Sequence, residues 1–265
     1  MPRARDPAEL YESIAPTYDR TRRADPRIAA ELLQCLALRP GRACVDIACG
    51  TGNYTIALRE RGLCMVGVDS SPEMLAEARA KAPNVAWHLA DAAQLPFRDG
   101  SQDGATCVLA IHHMADRLDE ALGDAWRVLA PGGGLCIFTA DPAQIRCYWL
   151  RRYFPDMVER SAEGMPPVAD LARRLARIGF RDVDTLPYRV PEDPVDLFLY
   201  AGKHRPDLYL DAGVRAGISS FARADPRELH AGLERLARDV TLGRAPAPDA
   251  GDGGDYVFLV ARKPD

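Results

Sequence analysis

VDIACGTGN (45–53) is a short apolar run that breaks into a glycine-bearing turn and then enters a helix-like stretch, YTIALRERG (54–62). Strand, turn and helix in that order make the first half of a βαβ unit. Bare backbone at Gly50 and Gly52 lets a ligand approach the chain, and the helix behind them opens with unsatisfied N–H groups. The dinucleotide fingerprint GxGxxG fails here, because Thr55 stands at the third glycine position.

Outward from this turn the pattern alternates. CMVGVD (64–69) reads as a strand and SSPEMLAEARAKA (70–82) as a helix opened by serine and proline. VAWHLAD (85–91) and ATCVLAIHH (105–113) read as further strands, LDEALGDAWRVL (118–129) as a helix and GLCIFTAD (134–141) as a strand. Upstream, Asp25-Pro26 opens a helix carrying Ile28, Leu32, Leu33 and Leu36 at helical spacing. This rhythm predicts a doubly wound α/β fold on a mostly parallel sheet, with its ligand crevice at the carboxyl ends of the strands. Those ends carry Asp69, Asp91, His112-His113 and Asp141.

Asp69 lies 23 residues after Asp46, where a carboxylate can accept both hydroxyls of a ribose; it also suits a helix N-cap. Asp91, with Ala92 behind it, is placed to meet an adenine edge, and Met74 can lie on the adenine face. Three acidic strand ends around one glycine turn describe a nucleoside pocket without a phosphate grip. No Walker-type GxxxxGK[ST] is present.

Composition narrows the partners. A net charge of −4 over 265 residues leaves no basic footprint for a nucleic acid. No apolar run approaches the roughly 18 residues of a membrane span, and MPRARDPAELYES lacks the apolar stretch of a secretory leader. Seven cysteines show neither CxxC pairing nor metal-ligand spacing. A cytoplasmic protein with no metal, membrane or nucleic-acid partner is the expectation; the oligomeric state stays open.

Five segments taken in order resemble a class I S-adenosylmethionine-dependent methyltransferase of the ubiquinone/menaquinone-methyltransferase-like, small-molecule kind. They are YESIAPTYDRTR (11–22), VDIACGTG, VDSSPEML, DAAQLPFRDGSQD (91–103) and LAPGGGLCIFT. The resemblance implies a seven-stranded Rossmann-like sheet with an antiparallel last strand, and S-adenosyl-L-methionine as cofactor. It implies that Tyr18 and Arg22 meet the methionine carboxylate, that Asp46 lies near the ammonium, and that Gly50 meets the methionine backbone. Asn53, Ser70, Ala110 and Ala48 complete the cofactor set, Ala48 standing where glycine is commonest in the family.

The expected division is a cofactor-binding core with an N-terminal lid (1–143), then completion of the sheet with helical cap insertions (144–166 and 192–243). QIRCYWLRRYFPDMVER (144–160) reads as one aromatic-rich helical stretch. Arg146, Tyr148, Trp149, Tyr200 and, in the N-terminal segment, Tyr11 are the candidate acceptor contacts; each also suits a packing role. His112 or His113, with His112 the stronger candidate, could act as general base, since an imidazole titrates near working pH. Two rival functions remain: a non-methylating use of the same cofactor, by cyclisation or aminocarboxypropyl transfer, and a non-catalytic binding module.

Overall fold

A computed structural model describes residues 18–246 and 254–265. Seven strands form one sheet in the order β3-β2-β1-β4-β5-β7-β6. The strands are β1 (Ala43–Ile47), β2 (Cys64–Asp69), β3 (Ala86–Leu89), β4 (Gln102–Val108), β5 (Leu129–Thr139), β6 (Arg181–Tyr188) and β7 (Tyr256–Arg262). β1 through β5 pair in parallel, whereas β7 runs antiparallel to both β5 and β6. The order reverses between β1 and β4, so a ligand crevice belongs outside the carboxyl ends of those two strands.

Alternation along each strand feeds two apolar layers. Cys44, Phe138 and Phe258 face a cluster with α1 (Pro26–Leu36) and α2 (Asn53–Glu60), whereas Val45, Ile137 and Leu259 face the other side. There they meet α4 (Leu118–Val128) and α7 (Val168–Ile178). A smaller cluster joins α3 (Pro72–Lys81), through Leu75 and Ala78, to Trp87 on β3. Asp25 caps α1 by accepting from the Arg27 N–H at 2.9 Å, with Pro26 at the first turn. β6 lies at the sheet edge, where Pro187 removes no ladder donor that a further neighbour would need.

Two segments depart from the sequence reading. The strand expected over 105–113 stops at Val108, because Leu109 takes a left-handed φ of 55° and turns the chain into a 3₁₀ helix, Ile111–Arg117. The stretch 144–160 is three pieces rather than one helix: α5 (Pro142–Cys147), a 3₁₀ turn (Trp149–Arg152) and α6 (Pro155–Glu163). Tyr148 is extended at the first break, and Pro155 forces the residue before it out of helical geometry at the second.

Beyond the sheet, α5 and α6 pack with α8 (Ala212–Ala216), α9 (Ser219–Ala222) and α10 (Pro226–Thr241). Glu228 on α10 accepts from the Asp156 N–H at 2.7 Å and caps α6, while the Tyr153 hydroxyl donates to Asp239 at 2.7 Å. Among the described residues no helix is long and apolar enough to cross a membrane.

Candidate functional site

A cavity of about 580 Å³ opens at the carboxyl ends of β1, β2 and β4. Its floor is the turn after β1. Ala48, Gly50 and Gly52 all take positive φ, at 55°, 56° and 78°, which folds the chain tightly back under the N-terminus of α2. The two glycines serve different ends. A Cβ at Gly50 would stand in open space facing the cavity, but one at Gly52 would lie 2.2 Å from the Trp87 ring. Gly50 therefore admits a ligand and Gly52 admits a tryptophan, which corrects the expectation that both served ligand approach. Ala48 holds the left-handed conformation despite its Cβ, a cost of about 1–2 kcal/mol that glycine would avoid.

Asp69 at the end of β2 is locked by backbone. Its Oδ2 accepts from the Gly50 N–H at 2.7 Å and its Oδ1 from the Ser71 N–H at 2.9 Å. The carboxylate is thereby aimed along the cavity wall with lone pairs to spare. Burial lifts its pKa above the ordinary carboxylate range, and the backbone N–H groups of Ser71, Gly50 and Ser70 oppose that rise. The N-cap of α3 is Ser71, whose Oγ accepts from the Met74 N–H at 3.2 Å, so Asp69 is not needed for that role. Ser70 and the buried Met74 line the same wall.

Asp46 lies beneath the turn, 2% exposed. It accepts from the Thr55 hydroxyl at 2.6 Å and the Thr106 hydroxyl at 2.8 Å. Burial pushes its pKa up to about 6 in spite of those donors. With one hydroxyl on each oxygen it bears on the cavity as a buried charge. The lead segment closes the opposite side, where Asp19 accepts from Thr51 Oγ1 at 2.6 Å and Asn53 Nδ2 at 2.8 Å and pairs with Lys81 at 2.6 Å. Tyr18, Arg22, Asn53 and Ala110 all line the cavity. Burial disfavours the Arg22 charge, but Asp196, 2.5 Å from its Nε, more than offsets that and holds the guanidinium firmly protonated.

Other expected contacts are not brought here. Asp91 pairs with Arg117 at 2.5 Å and caps the Ala93 N–H at 2.8 Å in an exposed position; neither it nor Ala92 lines the cavity. Arg146 pairs with Glu159 at 2.8 Å on the outer surface. Tyr148, Trp149 and Tyr200 are buried among aromatics: Tyr148 stacks on Tyr200 at 3.8 Å between ring centres, and Trp149 donates to the Lys203 carbonyl at 3.2 Å. They build the core of the outer helical layer instead of the cavity wall. Tyr11 lies outside the described residues.

The two imidazoles pack against each other at 3.9 Å between ring centres, but in the 3₁₀ turn only His113 lines the cavity, the reverse of the expected preference. His112 Nδ1 is buried with no hydrogen-bond partner among the described residues. Burial holds both rings well below the ordinary histidine range, His113 at about 4 with the Arg223 charge adding to the effect. Both lie below the pKa near 6–7 that the sequence reading gave a histidine base. The cavity also takes in Thr51, Tyr54, Glu73, Leu109, Asp116 and Asp196. Thr51 and Tyr54 flank the glycine turn and were within reach of motif reading; Asp196, 150 residues from Asp46, carried no such signal.

A locked carboxylate at the end of β2, an open-faced glycine beside it and a buried thioether on the wall fit a nucleoside with a cationic amino-acid arm, and so fit S-adenosylmethionine. A family model described as a methyltransferase domain matches residues 44–133. The demethylmenaquinone methyltransferase of Thermus thermophilus is 38% identical over 158 residues, 55% of this chain and 71% of that protein. The 27-O-demethylrifamycin SV methyltransferase of Amycolatopsis mediterranei is 29% identical over 253 residues, 91% of this chain and 85% of that one. Among solved structures, a candidate methyltransferase from an antibiotic biosynthesis pathway of Anabaena variabilis superposes with a TM-score of 0.82. It is 33% identical, over 91% of this chain and 98% of that one. Cavity, strand order and relatives agree: the chain belongs to the class I S-adenosylmethionine-dependent methyltransferases.

Proposed function

We propose that the chain methylates a small molecule of bacterial secondary metabolism in the cytoplasm, and that the cavity holds the cofactor and the reacting end of the acceptor together. The observation that carries this reading is Asp69, fixed between the Gly50 and Ser71 N–H groups with its free lone pairs on the cavity. When bound, the cofactor supplies a sulfonium methyl group, an electrophile that needs alignment more than activation.

Each residue then has a definite task. Asp69 accepts the ribose hydroxyls, and Met74 packs its thioether on the adenine. Asp46 supplies the buried negative charge that favours a cationic arm, and Gly50 leaves room for that arm. Tyr18 and Arg22 lie where a carboxylate could be received. His113, neutral at working pH, lies on the cavity wall, where its ring orients the acceptor by contact without taking a proton away. The relative acting on a rifamycin, similar along nearly the whole chain, supports a multi-ring hydroxylated acceptor.

The test is product analysis with methyl-labelled cofactor and a panel of hydroxylated polyketides and quinols. Labelled acceptor and stoichiometric S-adenosylhomocysteine are expected. Methylthioadenosine in their place would overturn methyl transfer.

A further inference from the structure

Residues 193–197, far along the chain from the cofactor motif, run against the lead segment 21–27. The Leu197 N–H donates to the Thr21 carbonyl at 2.9 Å and the Val195 N–H to Asp25 at 2.9 Å, while Arg27 reaches Asp193 at 2.7 Å. Of this late segment, Asp196 alone among the described residues reaches the cavity. It is 1% exposed and takes the Arg22 Nε at 2.5 Å, the Arg22 Nη2 at 3.4 Å and the Tyr54 hydroxyl at 3.1 Å. One carboxylate thus joins three separate pieces: the lead, the first turn of α2 and the late segment.

The guanidinium makes two further contacts. Arg22 Nη1 points to the Gly217 carbonyl at 3.4 Å, and its plane lies over the Tyr18 ring at 5.1 Å. Arg22 is consequently a held plate in the cavity wall, and its orientation is set by a residue with no place in the family motif. A buried guanidinium deprived of its carboxylate either leaves the wall for water or takes another anion.

We propose that Asp196 is a positioning residue for the cofactor pocket. By clamping Arg22 and Tyr54 it fixes the wall that receives the amino-acid arm, so the late segment tunes cofactor affinity. This rests on reading the cavity as the S-adenosylmethionine site.

The experiment titrates S-adenosylhomocysteine calorimetrically into the full chain, with thermal melting in parallel, for the native chain, Asp196→Asn, and the charge-swapped double variant Arg22→Asp with Asp196→Arg. Asp196→Asn is expected to weaken binding tenfold or more. The swap is expected to recover much of the melting temperature while binding stays at least tenfold weak, because the cation now stands on the wrong side of the contact. In turnover, Asp196→Asn is expected to raise the KM for the cofactor with kcat at saturation within about twofold. Binding within twofold of native in Asp196→Asn, or full recovery of both properties in the swap, would overturn the proposal by making the pair a structural link only. Where these variants do not fold, Tyr54→Phe removes one hydroxyl from the clamp. At least threefold weaker binding at an unchanged melting temperature supports the proposal, and unchanged binding overturns it. If the native chain itself fails to bind S-adenosylhomocysteine, the reading of the cavity falls and the role of Asp196 falls with it.

Discussion

Replacing Asp69 with alanine separates the cofactor site from its surroundings most sharply. The carboxylate holds two backbone N–H groups, of Gly50 at 2.7 Å and Ser71 at 2.9 Å, and presents its remaining lone pairs to the cavity. Two ribose hydroxyls donating to an ionised carboxylate contribute about 1.5–3 kcal/mol each. Their loss amounts to roughly 3–6 kcal/mol, or a factor on the order of 10² to 10⁴ in the dissociation constant. Alanine also frees the two N–H groups, and the turn that positions Gly50 loosens with them, so a hundredfold loss is the minimum expected. Asp91→Ala is the internal control: its carboxylate is half exposed and paired with an exposed Arg117, a solvent-screened contact off the cavity. Calorimetry with S-adenosylhomocysteine on both variants, each shown to be folded by circular dichroism, is the assay. Unchanged affinity in a folded Asp69→Ala chain, or an Asp91→Ala loss as large as that of Asp69→Ala, would refute the reasoning.

Two further outcomes follow from burial. Trp149→Ala empties a buried aromatic site and is expected to cost about 3–5 kcal/mol, read as a lowered melting temperature with cofactor affinity kept; an acceptor-binding defect at native stability would contradict the packing role. Asp46, pushed up to about 6, loses its charge as pH falls through that value, so affinity for a cationic cofactor is expected to fall below pH 6, and Asp46→Asn to remove that dependence. The same shift acts on stability with the opposite sign: the folded chain holds the proton more tightly, so Asp46 favours folding below its unfolded pKa near ~4 and loses that contribution as pH rises through about 6. His113, held at about 4, stays neutral above pH 5, and a turnover inflection near 6.5 that vanished in His113→Gln would contradict its assignment as an orienting group.

Local chemistry made the fold and the cofactor motif legible. Apolar runs alternating with helical periodicity, a glycine turn after β1, a Ser-Pro helix opening and an acidic strand end each act over a few residues. Asp69 and Met74 were read from short segments, Gly50, Asn53 and Tyr18 from the family resemblance of theirs, and all five line one cavity. Sequence could not tell which face of a turn a side chain takes once the turn is irregular. The left-handed step at Leu109 moved His113 onto the cavity and His112 off it, whereas a strand continued to residue 113 would have given a different phase.

Aromatic residues after β5 posed the same difficulty in another form. Tyr148 and Trp149 suit a pocket roof and a core equally well by composition. Only the packing of α5 and α6 against the helices around 206–241 decided for the core, by surrounding both rings with other aromatics. Asp91 carried the right residue type at the right strand end, but an arginine 26 positions later draws it outward.

Sequence by itself therefore determined the strand-and-helix alternation, the glycine turn and the acidic end of β2, because those depend on neighbours along the chain. Tertiary structure alone decided that Asp196 clamps Arg22 across 174 positions, that Gly52 accommodates Trp87, and that of two histidines in ring contact only His113 lines the cavity. Contacts of that kind are set by how layers close over one another, and their energy depends on a burial that exists only after the chain has folded.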